Sequence, residues 1–95
     1  MKVKLQTILT FKEILGTREA EISLPEGATI QGLLSRMKEL WGDRLSSRLF
    51  LPGTECLLPY ITLMVNGRSV RFLNGTETIL HDRDEVLLLP PVAGG

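Results

Sequence analysis

The chain has 95 residues, and its 43% hydrophobic content is enough for one buried core in a single domain without a disulfide or a metal. Eleven basic and eleven acidic side chains give no net charge, which argues against a general nucleic-acid binder, because such proteins need excess positive charge. No apolar run reaches the roughly 18 residues that cross a bilayer, and the first residues lack a signal-peptide pattern, so we expect a soluble, cytoplasmic protein that does not bind a membrane.

The first quarter of the chain predicts two strands. Apolar and polar residues alternate from Val3 to Leu9 and again from Glu19 to Leu24, which is the period of a strand with one buried face. Residues 11–15 form a short apolar link that the turn Gly16-Thr17 closes. We expect the two strands to pair as an antiparallel hairpin with a long loop.

A helix is predicted next, with Thr29 as its N-cap and Gly42 in the left-handed position just past its end. Between them, apolar residues recur at the spacing of one helical face. These residues are Ile30, Leu33, Leu34, Met37, Leu40 and Trp41. We interpret this face as core that packs on a sheet.

The middle of the chain has weaker signals. Residues 43–59 predict a partly helical insertion followed by a loop. The segment Ile61–Val65 is rich in β-branched residues and predicts a strand. Asn66-Gly67 marks a tight hairpin after it, and the short return strand is expected within Ser69–Phe72.

The last strand is predicted at Glu85–Leu89. Its apolar residues do not alternate, which is typical of a strand buried on both faces, either in the centre of a sheet or under a partner protein. We assign Val86 and Leu88 to the helix side of the sheet. Three side chains are then expected on an outer, partner-binding face: Leu87, Leu89 and Met64.

This order of elements predicts an α+β fold of the β-grasp, ubiquitin-like class. The first and last strands should be parallel neighbours, because the helix is the one element able to cross over the sheet. We expect a mixed sheet of four to five strands packed on one main helix. Residues 1–95 then form a single domain from which a tail, 90–95, projects freely.

Isolated reactive side chains offer little chemistry. Cys56 precedes two leucines and is expected to be a partly buried, inert thiol, and His81 is expected in a solvated loop. The acidic residues Asp82, Asp84 and Glu85 are interpreted as a solvated turn rather than a metal site. Without a Cys-His or other acid–base pair, catalysis by the chain alone is not expected.

The chain stops at Gly94-Gly95, directly after Pro90, Pro91, Val92 and Ala93. Glycine lacks a Cβ, so such an end fits a slot too narrow for any other residue. The two prolines restrict φ and favour an extended start, which lowers the entropy lost on insertion. We therefore predict that the carboxylate of Gly95 is the working group of the protein.

The element order and this ending resemble the ubiquitin-like sulfur carriers of the MoaD/ThiS type, and are most similar to the small subunit of molybdopterin synthase in its longer, archaeal-like form. The match is densest from Ile61 to Gly95. It comprises Val65-Asn66-Gly67-Arg68, Leu80, Asp82, Asp84-Glu85-Val86 and the Pro-Pro-Val-Ala-Gly-Gly end. Arg83 stands where that family usually has glycine, which would cost about 1 kcal/mol if the residue takes a positive φ.

The resemblance implies two partners. A ubiquitin-activating-type adenylating enzyme would join the Gly95 carboxylate to AMP from ATP, and a persulfide sulfur would displace the AMP to leave a thiocarboxylate. The molybdopterin synthase large subunit would then bind the outer face and the tail and use the sulfur. The chain itself would bind no cofactor and no metal, and would act as the sulfur-carrier subunit of a sulfurtransferase complex.

Three other functions fit the same sequence. The thiocarboxylate could feed thiazole synthesis or another sulfur pathway. The activated Gly95 could instead acylate lysines, which would make the chain a ubiquitin-like protein modifier. A β-grasp binding module with an incidental tail is the third alternative.

Overall fold

A computed structural model of the chain describes residues 1–54 and 56–90. Within these residues the chain forms three α-helices and a five-stranded sheet. The elements are, in chain order, β1 (Lys2–Thr7), α1 (Leu9–Leu15), β2 (Glu19–Ser23), α2 (Ile30–Trp41), α3 (Asp43–Leu49), β3 (Thr62–Val65), β4 (Arg68–Ser69) and β5 (Glu85–Leu89). No helix in this part of the chain has the length and apolar character needed to cross a bilayer.

The strand order is β2-β1-β5-β3-β4. The central pair, β1 and β5, is parallel, and every other neighbouring pair is antiparallel. Two parallel neighbouring strands need a crossover connection. Helix α2 lies between β1 and β5 in the sequence and packs its buried face on the sheet, so it forms part of that connection. The predicted β-grasp fold, its mixed sheet and its parallel first and last strands are therefore confirmed.

Helix α2 begins and ends where the sequence predicts. The Thr29 hydroxyl accepts a hydrogen bond from the Gly32 amide at 3.3 Å, and Gly42 has φ 68°. Four residues of the predicted apolar face are fully buried: Ile30, Leu33, Leu34 and Met37. Leu40 was assigned to this face but is 47% exposed, because its direction falls at the margin of the buried arc.

Residues 11–15 are not a link but most of helix α1. β1 ends at Thr7, so Leu9, which the alternation assigned to the strand, is instead the first residue of the helix. Phe11 is buried in the core and α1 packs against α3, so tertiary contacts stabilise this two-turn helix. Gly16, with φ 79°, ends it at the predicted turn.

The insertion is partly helical, as predicted, but its cysteine is misassigned. Helix α3 buries Leu45 and Leu49, and the loop after it returns to pair Phe50 with Leu57. Leu57 is partly buried in this bridge, whereas Cys56 is exposed, because neighbouring residues of an extended segment face opposite directions. The prediction of a partly buried thiol is therefore wrong.

The return strand after Asn66-Gly67 is shorter than predicted. β4 contains only Arg68 and Ser69, and residues 70–72 form a 3₁₀ turn. The Ser69 hydroxyl accepts a hydrogen bond from the Arg71 amide at 3.4 Å, which caps this turn. Val70 is thereby directed into the core instead of continuing the edge of the sheet.

The acidic motif before β5 connects the turn that precedes β5 to the start of β1 and to the end of β3. Asp84 accepts hydrogen bonds from the Asn66 side chain at 3.0 Å and from the His81 amide at 2.8 Å. Asp82 accepts one from the Lys2 amide at 2.8 Å. These bonds account for the carboxylates as parts of a turn, and no group of three or more possible metal-binding side chains was found among the described residues.

Arg83 lies in this turn with φ 68°, the left-handed conformation that its position in the family pattern suggested. Its side chain is 92% exposed and its Nε lies 3.9 Å from an Asp82 carboxylate oxygen, so little packing offsets the backbone strain.

We expect Arg83→Gly to raise the free energy of unfolding by about 1 kcal/mol, since glycine adopts this φ without strain. Urea denaturation of both proteins measures the change. Arg68→Gly is the matched control, because Arg68 is an exposed arginine in a strand, and there we expect a loss of roughly 0.5–1 kcal/mol. A loss in both variants would contradict the assignment of strain to Arg83.

Candidate functional site

The outer face of the sheet carries the predicted apolar residues. The register of β3 and β5 pairs Met64 with Leu87 on this face, and places Thr62 opposite Leu89. Leu87, Leu89 and Met64 are each partly exposed. Val86 and Leu88 are fully buried on the helix side, so the predicted directions of the β5 side chains are confirmed.

Ile8 extends this apolar surface and was missed in the sequence analysis. β1 and β5 are parallel and in register up to Thr7 and Leu88, so the extended backbone of Ile8 lies beside Leu89. Its side chain is 39% exposed. The sequence contained a signal for this residue: Ile8 is apolar at an outward position of the β1 alternation, where the other outward residues are polar. We define the outer patch as Ile8, Met64, Leu87 and Leu89.

Leu9 continues the exposed apolar surface at the same edge of the sheet. It is 62% exposed and has φ 53°, a conformation that a leucine seldom adopts. With most of its side chain exposed, Leu9 gains little burial to offset this strain. The chain therefore presents two consecutive large apolar residues, Ile8 and Leu9, next to the end of β5.

The opposite half of the outer face is charged and internally paired. Lys2 lies 3.3 Å from Glu21, and Lys4 lies 3.1 Å from Glu19 and 3.7 Å from Glu85. The hydrogen bond and charge of Glu19, with the charge of Glu85, raise the pKa of Lys4 above its ordinary value. These ion pairs occupy the charged half of the outer face, and the outer patch forms its apolar half.

The tail begins after Leu89, at the carboxyl end of β5, where the outer patch also ends. Pro90 follows Leu89, is buried, and lines a groove of about 430 Å³ on the helix side of the sheet. The prediction that the tail projects freely from residue 90 is therefore wrong for Pro90, because this residue packs against the domain. The other lining residues come from three separate parts of the chain: Thr10, Phe11, Ser47, Arg48, Leu58 and Tyr60. We call this cavity the root groove.

The remaining predicted site residues lie outside the described part of the chain: Pro91, Val92, Ala93, Gly94 and Gly95. The described residues nevertheless define the surroundings from which the tail departs. The outer patch lies on one side of the Leu89–Pro90 segment, and the root groove lies on the other. This arrangement is suited to docking a partner around the base of the tail.

Comparison with protein families matches residues 9–95 to the ThiS family. Small archaeal modifier protein 3 of Haloferax volcanii is 36% identical over 95 residues, which is 100% of both chains. A putative sulfur carrier protein of Archaeoglobus fulgidus is 39% identical over 70 residues, which cover 74% of this chain and 77% of that protein.

Solved structures share the fold. The crystal structure of small archaeal modifier protein 1 from Haloferax volcanii superposes with a TM-score of 0.86 at 23% identity, over 100% of both chains. A putative molybdopterin converting factor, subunit 1, from Pyrococcus furiosus gives 0.77 at 32% identity, over 97% of this chain and 99% of that one. A chain of the BexX/CysO complex from Amycolatopsis orientalis gives 0.75 at 27% identity, over 98% and 99%.

The family match covers most of the chain, and the fold superposes on that of a small archaeal modifier protein over the whole of both chains. The chain belongs to the ThiS family of ubiquitin-like sulfur carriers and modifiers.

Proposed function

We propose that this protein carries sulfur as a thiocarboxylate on Gly95 and delivers it during molybdopterin synthesis. The observation that carries the proposal is the position of the outer patch beside the base of a tail that reads Pro-Pro-Val-Ala-Gly-Gly. An apolar docking surface next to the tail holds the domain while the narrow end reaches an active site.

The chemistry takes place in the partner enzymes. A Gly95 carboxylate oxygen attacks the α-phosphorus of ATP, and pyrophosphate leaves. The resulting acyl adenylate has AMP as its leaving group, which a free carboxylate lacks. The terminal sulfur of a persulfide then attacks the carbonyl carbon and displaces AMP. The product is an acyl disulfide between Gly95 and the persulfide-bearing cysteine of the enzyme. A thiolate then attacks the cysteine sulfur of this disulfide, so that the thiocarboxylate leaves and a new disulfide forms between the thiol and the cysteine.

The domain contributes binding rather than catalysis. Leu87, Leu89 and Met64 would be covered by the partner, together with Ile8 at the same edge of the sheet. Because the charged half of the face pairs internally, apolar burial supplies most of the gain on docking. The likeness to a putative molybdopterin converting factor subunit at 32% identity supports a synthase large subunit as the sulfur-accepting partner.

A second candidate function is protein modification. One relative that matches over the whole of both chains is named a small archaeal modifier protein. In this function, the same adenylation activates Gly95, but a lysine amine attacks the activated carbonyl carbon and forms an isopeptide bond. The two functions differ only in the nucleophile that receives the acyl group.

Mass spectrometry of the protein in its native cells distinguishes the two. Sulfur transfer predicts intact chains with one sulfur in place of a terminal oxygen. Modification predicts lysines that carry a remnant of this chain. Trypsin cuts last after Arg83, so the remnant to search for is Asp84–Gly95 and not the Gly-Gly of ubiquitin digests.

We expect Gly95→Val to fold normally but not to form a thiocarboxylate with an activating enzyme, ATP and a sulfur source, because a branched side chain does not fit a slot shaped for glycine. Intact-mass measurement detects the exchange of oxygen for sulfur, and Gly95→Ala should give an intermediate yield. Thiocarboxylate formation by the valine variant at the rate of the unchanged protein would refute the threading of the tail.

Leu87→Ser tests the docking surface. The substitution removes about 1 kcal/mol of apolar burial at the interface. This corresponds to a roughly fivefold rise in the KM that the activating enzyme shows for this protein as its substrate. Pyrophosphate exchange measures the rate, and kcat should not change.

Ile79→Ser is the matched control, because Ile79 is 55% exposed and lies outside the outer patch. Both variants should lose similar stability in thermal unfolding, while only Leu87→Ser raises KM. Equal KM values for the two variants would show that the outer patch does not dock on the enzyme.

A further inference from the structure

The root groove has an uneven charge distribution. Arg48 is the only charged residue in its lining, and it is exposed and makes no ion pair with any described residue. By comparison, Lys2, Lys4 and Arg36 each lie within 4 Å of a carboxylate. The groove therefore contains one cation without a counter-charge from the described chain.

The rest of the lining complements this cation. Three hydroxyl groups line the groove, from Thr10, Ser47 and Tyr60, and Phe11, Leu58 and Pro90 supply apolar surface. The Ser47 hydroxyl donates to the Arg44 carbonyl oxygen at 3.4 Å, so Thr10 and Tyr60 are the hydroxyls counted as donors to a ligand. A guanidinium group presents parallel N–H donors that match the two oxygens of a carboxylate. The ligand that fits this lining is a carboxylate carried on an apolar segment.

From these observations, we propose that the root groove binds an aspartate or glutamate side chain from an apolar segment of the enzyme that adenylates the tail. The inference rests on the proposed function and adds a second contact to it. The outer patch binds the enzyme on one face of the Leu89–Pro90 segment, and Arg48 binds it on the other. The base of the tail is then held from both sides.

The occupant could instead be the carboxylate of this chain, since five residues follow Pro90. Their sequence argues against that occupant. A proline at position 91 disfavours helical backbone angles at Pro90, and both prolines have restricted φ, so an extended departure is favoured over an immediate return. A partner that covers Leu89 already lies next to the groove, whereas the tail would have to reverse its direction.

The adenylation reaction tests the proposal with Arg48→Gln, which keeps the size of the side chain and removes its charge. We expect KM for this protein to rise about tenfold with kcat unchanged, since a charge-assisted pair is lost from binding and not from the chemical step. The rise should shrink as salt increases, because salt screens the pair. Arg48→Lys should recover part of the loss.

Arg68→Gln is the matched control, since Arg68 is an exposed arginine of β4 at the far edge of the sheet, with no ion pair to a described residue. Its KM should not change. A KM for Arg48→Gln equal to that of the control overturns the proposal. A lower KM also overturns it, because it would mean that the tail of this chain occupies the groove and competes with the enzyme.

A second measurement does not depend on adenylation. The peptides acetyl-Leu-Glu-Leu-amide and acetyl-Leu-Gln-Leu-amide are titrated into ¹⁵N-labelled protein. Amide shifts at Thr10, Ser47 and Arg48 should saturate with the glutamate peptide only, and should vanish in Arg48→Gln. Equal shifts with both peptides overturn the proposal. If the unchanged protein is never adenylated, the proposed function fails, and the titration still decides whether the groove binds a carboxylate.

Discussion

The parallel pairing of β1 and β5 is the constraint on which the rest of the molecule depends. Because the two strands run in the same direction, their carboxyl ends meet at one edge of the sheet and their amino ends at the other. The first edge holds Ile8, Leu9 and Pro90. The other holds the turn in which Asp82 and Asp84 accept backbone hydrogen bonds. Pro90 and the turn are therefore separated by the length of β5.

Much of this fold could be predicted from local sequence patterns. The alternation in the first two strands, the 3.6-residue period of α2 and the Asn66-Gly67 turn each specify an element by themselves. The directions assigned to Leu87 and Leu89 agree with the structure, in which Glu85, Leu87 and Leu89 share the outward face and the charge of Glu85 stays exposed. The predicted element order, together with the Pro-Pro-Val-Ala-Gly-Gly ending, pointed to the carrier family.

The errors fall where tertiary contacts decide the structure. Helix α1 is too short to develop a helical period, and it forms because Phe11 packs in the core. The exposure of Cys56 depends on the bridge between Phe50 and Leu57, which no local pattern indicates. The root groove combines residues from α1, from α3 and from the loop before β3, so its arginine has no signature in the sequence.

The distance between the turn at Arg83 and the edge that carries Pro90 has an evolutionary consequence. We expect substitutions at the turn to change thermal stability and substitutions near Pro90 to change the proposed docking, with little interference because the two positions lie at opposite ends of β5. Under the proposed function, a lineage would then redirect the tail to a new acceptor without first acquiring compensating stability. That independence gives a physical basis for relatives named as sulfur carriers and as modifiers to share a single scaffold.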